Sequence, residues 1–112
     1  MGFWIRALRK LPADPCIRVA AFTYLSDRWL NYVSCASHVQ STLKAGRRLY
    51  VTSLNHASWL HRPASADGRL YFDCVSPSAT VGRGLTIDRA FDRAGLLVAS
   101  ATQESLITML HE

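Results

Sequence analysis

The chain has 112 residues, of which 49% are hydrophobic, and it carries a formal charge of +5. This length predicts one domain, residues 1–112, and no apolar run is long enough to span a bilayer. Because the basic residues are scattered rather than arranged in a stripe with interleaved aromatic residues, we expect no nucleic-acid partner.

The three cysteines, Cys16, Cys35 and Cys74, lie far apart in the chain. Their spacing fits no zinc motif, so no metal site is predicted. An odd number of separated cysteines is typical of reduced, structural thiols. We therefore expect an intracellular, cytoplasmic protein.

The first part of the chain predicts a strand and then a long helix. Alternation of side chains predicts the strand over Gly2–Leu8. The helix is expected over Asp14–Val33, because Asp14 can cap it and Pro15 suits its first position. Apolar residues on most sides of this helix predict that it is buried. Residues 34–46 are small and polar, which predicts an ill-defined loop.

Four more strands are expected in the rest of the chain, separated by turns rich in Gly and Asp. They cover Leu49–His61, Arg69–Ala79, Leu85–Phe91 and Leu96–Met109. The clearest of the turns is Asp92–Gly95, between the last two strands. The element order β-α-β-β-β-β predicts an α+β fold in which an antiparallel sheet wraps the long helix.

Polar residues interrupt the apolar faces of three different elements. Asp27 shares its side of the helix with Leu30, Ser53 and Asn55 follow Val51 along one strand face, and Gln103 interrupts the face of the last strand. Singly, each has an ordinary explanation: the acid pairs with a neighbouring arginine or a backbone group, and the amide is a satisfied core residue. Together, an acid, a hydroxyl and an amide that meet between helix and sheet would suit the activation of a water molecule.

Four segments carry a resemblance to a known family. They are YLSD at 24–27, SLNHASWLHRP at 53–63, SPSATVGRGL at 76–85 and FDRAGLLVASATQE at 91–104. They resemble the C-terminal half of the acyl-CoA thioesterase II family, the double-hotdog thioesterases. The resemblance implies a hotdog fold and hydrolysis of fatty acyl-CoA to fatty acid and CoA. It implies no cofactor, since CoA is part of the substrate.

The resemblance also assigns roles to residues. It places the catalytic acid, hydroxyl and amide on Asp27, Ser53 and Gln103. Candidate substrate-binding residues are Asn55, His56, Arg62 and Arg83. For His56 a structural role, and for the two arginines a solvated surface position, remain the alternatives.

The chain departs from the family pattern at three points. Asn55 stands where the family usually has Asp, and Ser53 stands where Thr is common. Only one hotdog unit is present, whereas members of the family usually carry two. We therefore expect a homodimer or pairing with a separate hotdog chain. The alternative function is a non-catalytic hotdog module, or a truncated half that binds acyl-CoA or completes a partner's site.

Overall fold

A computed structural model, which describes residues 1–63 and 66–111, shows one long helix held in a curled five-stranded antiparallel sheet. The sheet order is β1-β3-β4-β5-β2, so the first two strands of the chain form its two edges. The α+β hotdog architecture expected from the sequence is confirmed. The elements are β1 Gly2–Ile5, α1 Pro15–Cys35, α2 Val39–Lys44, β2 Arg47–Leu60, β3 Leu70–Thr80, β4 Arg83–Phe91 and β5 Leu97–His111.

The long helix α1 begins as expected and then continues further than expected. The Asp14 carboxylate accepts a hydrogen bond from the backbone N–H of Cys16 at 2.8 Å, and Pro15 is the first helical residue. After α1, a 3-10 turn at Ala36–His38 leads into α2. Neither helix of the described residues is long and apolar enough to cross a membrane.

The prediction of a loop over residues 34–46 is wrong for most of that stretch. The hydroxyl groups of Ser41 and Thr42 donate to the carbonyl of His38, at 3.0 and 2.7 Å. Such bonds back to the preceding turn let small polar side chains remain within a helix. Polar composition therefore did not indicate a loop here.

Only one face of α1 is buried, which corrects the expectation of a helix covered on most sides. Its buried residues include Phe22, Ser26, Leu30 and Ser34, which recur every four positions. On the opposite side, the exposed fraction is 67% for Tyr24 and 50% for Tyr32. A single sheet curls around one side of the helix, so apolar residues such as Tyr24 and Tyr32 on the other side stay exposed.

The apolar core lies along the buried face of α1, and its stacked aromatic rings lie under the first half of the helix. Phe72 of β3 packs between Phe3 and Phe22, with ring centroids 5.9 and 6.0 Å away. Each buried ring of this kind contributes roughly 1.5–3 kcal/mol relative to exposure. The core therefore ties α1 to β1 and β3.

A bulge in β2 decides which side chains face α1. The pairing of β2 with β5 passes from Ser53↔Ser105 to Asn55↔Glu104, which leaves Leu54 as an extra residue. A one-residue bulge reverses the faces beyond it. The expectation that Ser53 and Asn55 share a face, with His56 on the other, is therefore wrong.

The residues on either side of the bulge take different environments. His56 contacts groups on α1 and β5. Asn55 is exposed, and its Oδ1 accepts the backbone N–H of Glu104 at 3.2 Å. The Asn55 side chain thus pairs a backbone donor at the point where the strand ladder is interrupted.

Candidate active site

The structure brings together the three residues that the sequence singled out. The Ser53 hydroxyl donates to Oδ1 of Asp27 at 3.2 Å, and Nε2 of Gln103 donates to the Ser53 hydroxyl oxygen at 2.9 Å. Ser53 of β2 therefore links the acid on α1 to the amide on β5. Their catalytic roles stay predictions.

Asn31 is a fourth member of this cluster that the sequence did not identify. Its Nδ2 donates to the Ser53 hydroxyl oxygen at 3.0 Å, and its Oδ1 accepts from Nε2 of Gln103 at 2.8 Å. The hydroxyl of Ser105 also donates to Asn31 Oδ1. The signal was present in the spacing, because Asn31 follows Asp27 by one helical turn and Ser105 shares a strand face with Gln103.

His56 orients the Gln103 amide. Its Nδ1 lies 2.7 Å from Gln103 Oε1. Because an amide oxygen only accepts, the ring must carry its proton on Nδ1. In the neutral ring Nε2 then accepts, and the Ser58 hydroxyl lies 3.0 Å from it. This arrangement turns the amide nitrogen of Gln103 toward Asn31 and Ser53.

An open depression of about 420 Å³ lies beside this cluster. Its lining comprises Thr23, Tyr24, Asp27, Ser53, Leu54, Asn55 and His56. Gln103, by contrast, is completely buried, with an exposed fraction of 0%. The acid and the hydroxyl therefore border the opening, and the amide lies behind them.

The two candidate arginines are not part of the cluster. Arg62 is exposed, and its backbone N–H donates to the carbonyl of Val98 at 3.2 Å. A side-chain nitrogen of Arg83 lies 3.3 Å from a carboxylate oxygen of Glu104. Glu104 alternates with the inward-facing Gln103 and so lies on the opposite face of the sheet. Contacts of these arginines with CoA stay predictions.

A second groove, of about 440 Å³, lies between α2, the beginning of β2 and the turn from β3 to β4. It contains none of the three predicted catalytic residues. Its lining comprises Cys35, His38, Ser41, Thr42, Ala45, Arg47, Leu49, Ala79, Thr80, Val81, Gly82, Arg83, Ile107 and Met109.

Asp88 and Cys74 are ionisable groups that are buried outside the cluster. The pKa of Asp88 on β4 is raised to about 7, chiefly by burial; the hydrogen bond from Cys74 lowers it and the charge of Asp73 raises it. Burial, together with the charge of Asp88, raises the pKa of the Cys74 thiol to about 12. All three cysteines are free. Within residues 1–63 and 66–111, no group of three His, Cys, Asp or Glu side chains could hold a metal ion.

The sequence matches a family described as Acyl-CoA thioesterase over residues 2–106. It is 32% identical to mouse acyl-coenzyme A thioesterase 8 over 96% of this chain and 32% of the mouse protein. It is 29% identical to acyl-CoA thioesterase 2 of Haemophilus influenzae over 93% of this chain and 36% of that protein. The chain thus spans about a third of the length of these curated relatives.

Solved structures give the same likeness. An acyl-CoA thioesterase II from Mycobacterium marinum superposes with a TM-score of 0.86 and 37% identity, over 97% of this chain and 41% of that one. A 1,4-dihydroxy-2-naphthoyl-CoA thioesterase from Synechocystis superposes with a TM-score of 0.68 and 13% identity, over 97% of this chain and 82% of that one. At that low identity, the second likeness shows the fold alone.

Proposed function

We propose that this chain, which belongs to the acyl-CoA thioesterase family, hydrolyses fatty acyl-CoA to a free fatty acid and CoA. The observation that carries the proposal is the hydrogen-bonded connection from Asp27 through Ser53 to Gln103. In this connection the carboxylate and the hydroxyl border an open depression, and the amide lies behind them. A carboxylate can accept a proton from an attacking water molecule, and hydroxyl and amide donors can stabilise the charge that develops on a carbonyl oxygen.

In the proposed reaction, a water molecule in the depression gives a proton to the Asp27 carboxylate as its oxygen bonds to the thioester carbon. The carbon–sulfur bond then breaks, and the CoA thiolate takes the proton from Asp27. Ser53 holds the carboxylate in place through its 3.2 Å hydrogen bond. Amide donors such as Gln103 stabilise the negative charge that develops on the carbonyl oxygen.

The proposal includes a second hotdog unit along β2. This edge strand has 14 residues, whereas the other edge, β1, has four. Its exposed side chains include Tyr50 and Trp59, with exposed fractions of 57% and 53%. A long exposed edge strand with large apolar side chains favours pairing with another chain. We propose a second copy of this chain or a separate hotdog chain as the partner, in a reducing, cytoplasmic setting that suits three free cysteines.

The test is release of free thiol from a series of acyl-CoA thioesters of increasing chain length. Asp27→Asn keeps the shape of the side chain but removes the base, and we expect kcat to fall by about 100-fold or more. The matched control is Asp14→Asn, the same change at an exposed helix cap where Asn serves equally well. Equal thiol release by the wild type and Asp27→Asn would contradict the mechanism.

One observation favours the alternative of a non-catalytic module: Gln103 is fully buried behind Asn31. A module of this kind would bind acyl-CoA in calorimetry without releasing thiol. Light scattering on the same sample tests self-pairing, and a monomer would contradict a second copy of this chain as the partner along β2.

A further inference from the structure

Two hydrogen-bond donors converge on one oxygen atom, Oδ1 of Asn31. Nε2 of Gln103 lies 2.8 Å from it, and the hydroxyl of Ser105 also donates to it. The Ser53 hydroxyl oxygen is 3.4 Å away, but its single O–H donates to Asp27. Gln103 and Ser105 both have an exposed fraction of 0%. Buried donors aimed at a single carbonyl oxygen are the arrangement that stabilises negative charge developing on such an oxygen.

These donors are already occupied by the chain itself. The amide nitrogen of Gln103 has two N–H groups, and its two acceptors are Asn31 Oδ1 and the Ser53 hydroxyl oxygen. Ser105 has one O–H, which goes to Asn31. A carbonyl group from outside can therefore reach Gln103 and Ser105 only if the Asn31 side chain moves away.

We infer that Gln103 and Ser105 form a binding site for the carbonyl oxygen of the substrate, and that the side-chain carbonyl of Asn31 fills this site in the free protein. The inference rests on the proposed thioester hydrolysis. Exchange of one carbonyl for another leaves both buried donors with partners, so it costs little in hydrogen bonding. Asn31 is itself only half-buried. Its side chain can therefore turn out into solvent.

The experiment compares two CoA derivatives that resist hydrolysis. In the amide analogue NH replaces the thioester sulfur and the carbonyl remains, whereas in the thioether analogue CH₂ replaces the carbonyl. Asn31→Ala removes the internal occupant, so the amide analogue should bind about fivefold to tenfold more tightly in calorimetry. The thioether analogue should bind with the same affinity to the wild type and to Asn31→Ala. Gln40→Ala, which deletes an exposed amide on α2, is the matched control.

A second measurement needs no ligand. Hydrogen exchange of the Gln103 side-chain amide, followed by NMR, should be slow in the wild type and in Gln40→Ala and faster in Asn31→Ala. If Asn31→Ala does not fold, Asn31→Ser serves instead, because its shorter side chain also removes the carbonyl.

The outcomes separate the two proposals. If Asn31→Ala changes the affinity for both analogues equally, or leaves the Gln103 exchange slow, the inference about Asn31 is overturned and the proposed function stands. If neither analogue binds to any of these proteins, the proposed function is overturned together with the inference. A gain confined to the amide analogue, with faster Gln103 exchange, supports the inference.

Discussion

Two regions beneath the same helix are built in opposite ways. Under the first half of α1, the rings of Phe22 and Phe72 stack nearly parallel in an apolar core. Under the second half, Asn31, Ser53 and Gln103 are joined by directional hydrogen bonds. No buried side-chain nitrogen or oxygen in the described part of the chain lacks a partner. The apolar region supplies stability through buried area, whereas the polar region must match every donor to an acceptor because an unpaired buried group is costly.

The largest expected effect comes from the apolar region. Phe72→Ala removes a ring that packs against two others, and we expect the free energy of unfolding to fall by roughly 3–5 kcal/mol. Urea denaturation measures this change. Leu8→Ala, at a side chain that is 98% exposed, is the matched control and should stay within about 0.5 kcal/mol. Equal losses in both variants would show that the ring stack is not the source of stability.

Asp88 is a buried acid at the apolar core, and its contribution to the stability of the fold depends on pH. Its folded-state pKa of about 7 lies above the ordinary value of 3.8, so between these values the folded protein holds a proton that the unfolded chain has lost. Its contribution to stability is therefore fully present below about pH 4 and is lost as pH rises through about 7. Each pKa unit between the folded and unfolded states corresponds to about 1.4 kcal/mol in the free energy of unfolding.

Asp88→Asn stays neutral at every pH and should flatten this dependence. We expect its melting temperature to fall less than that of the wild type between about pH 4 and pH 8. Calorimetry across this range measures the difference, with Asp14→Asn as the control at an exposed acid. Parallel pH curves for wild type and Asp88→Asn would contradict the buried-acid interpretation.

A polar-to-apolar change at Gln103 tests the hydrogen-bonded region under the second half of α1. Gln103→Leu keeps the approximate volume but leaves the Nδ1–H of His56 and Oδ1 of Asn31 without their amide partner. We expect a loss of roughly 1–3 kcal/mol in the free energy of unfolding. Gln40→Leu on the exposed face of α2 should change it by no more than about 0.5 kcal/mol. A neutral Gln103→Leu would mean that these buried groups find other partners.

The smallest effect is expected for a polar contact outside both regions. Arg89 and Asp73 form an exposed ion pair at 2.8 Å. Such pairs contribute about 0–1 kcal/mol, and salt weakens them further. A double-mutant cycle with Arg89→Ala and Asp73→Ala, in low and high salt, measures this contribution. A coupling energy as large as the loss expected for Gln103→Leu would show that this exposed ion pair stabilises the protein as much as the buried hydrogen bonds do.

Local patterns in the sequence determined most of the fold. Asp14 and Pro15 marked the beginning of α1, and Asp92 with Gly95 marked the last turn. There the Gly95 N–H donates to the Asp92 carbonyl at 3.0 Å, and Gly95 has a φ of +83°. These features rest on backbone chemistry within a few residues, which is why the sequence alone was sufficient. The pairing of Asp27, Ser53 and Gln103 was also anticipated, because each interrupts an apolar face.

Only the tertiary structure decided which other side chains join that cluster. Strand alternation places Asn55 beside Ser53 and turns His56 away, whereas the bulge at Leu54 reverses both positions. A bulge arises from the pairing of β2 with β5, and the residues of β2 by themselves do not specify it. Asn31 joined the cluster for a similar reason: its partners lie 22 and 72 residues away in sequence, and only the packing of α1 against two strands brings them within hydrogen-bonding distance.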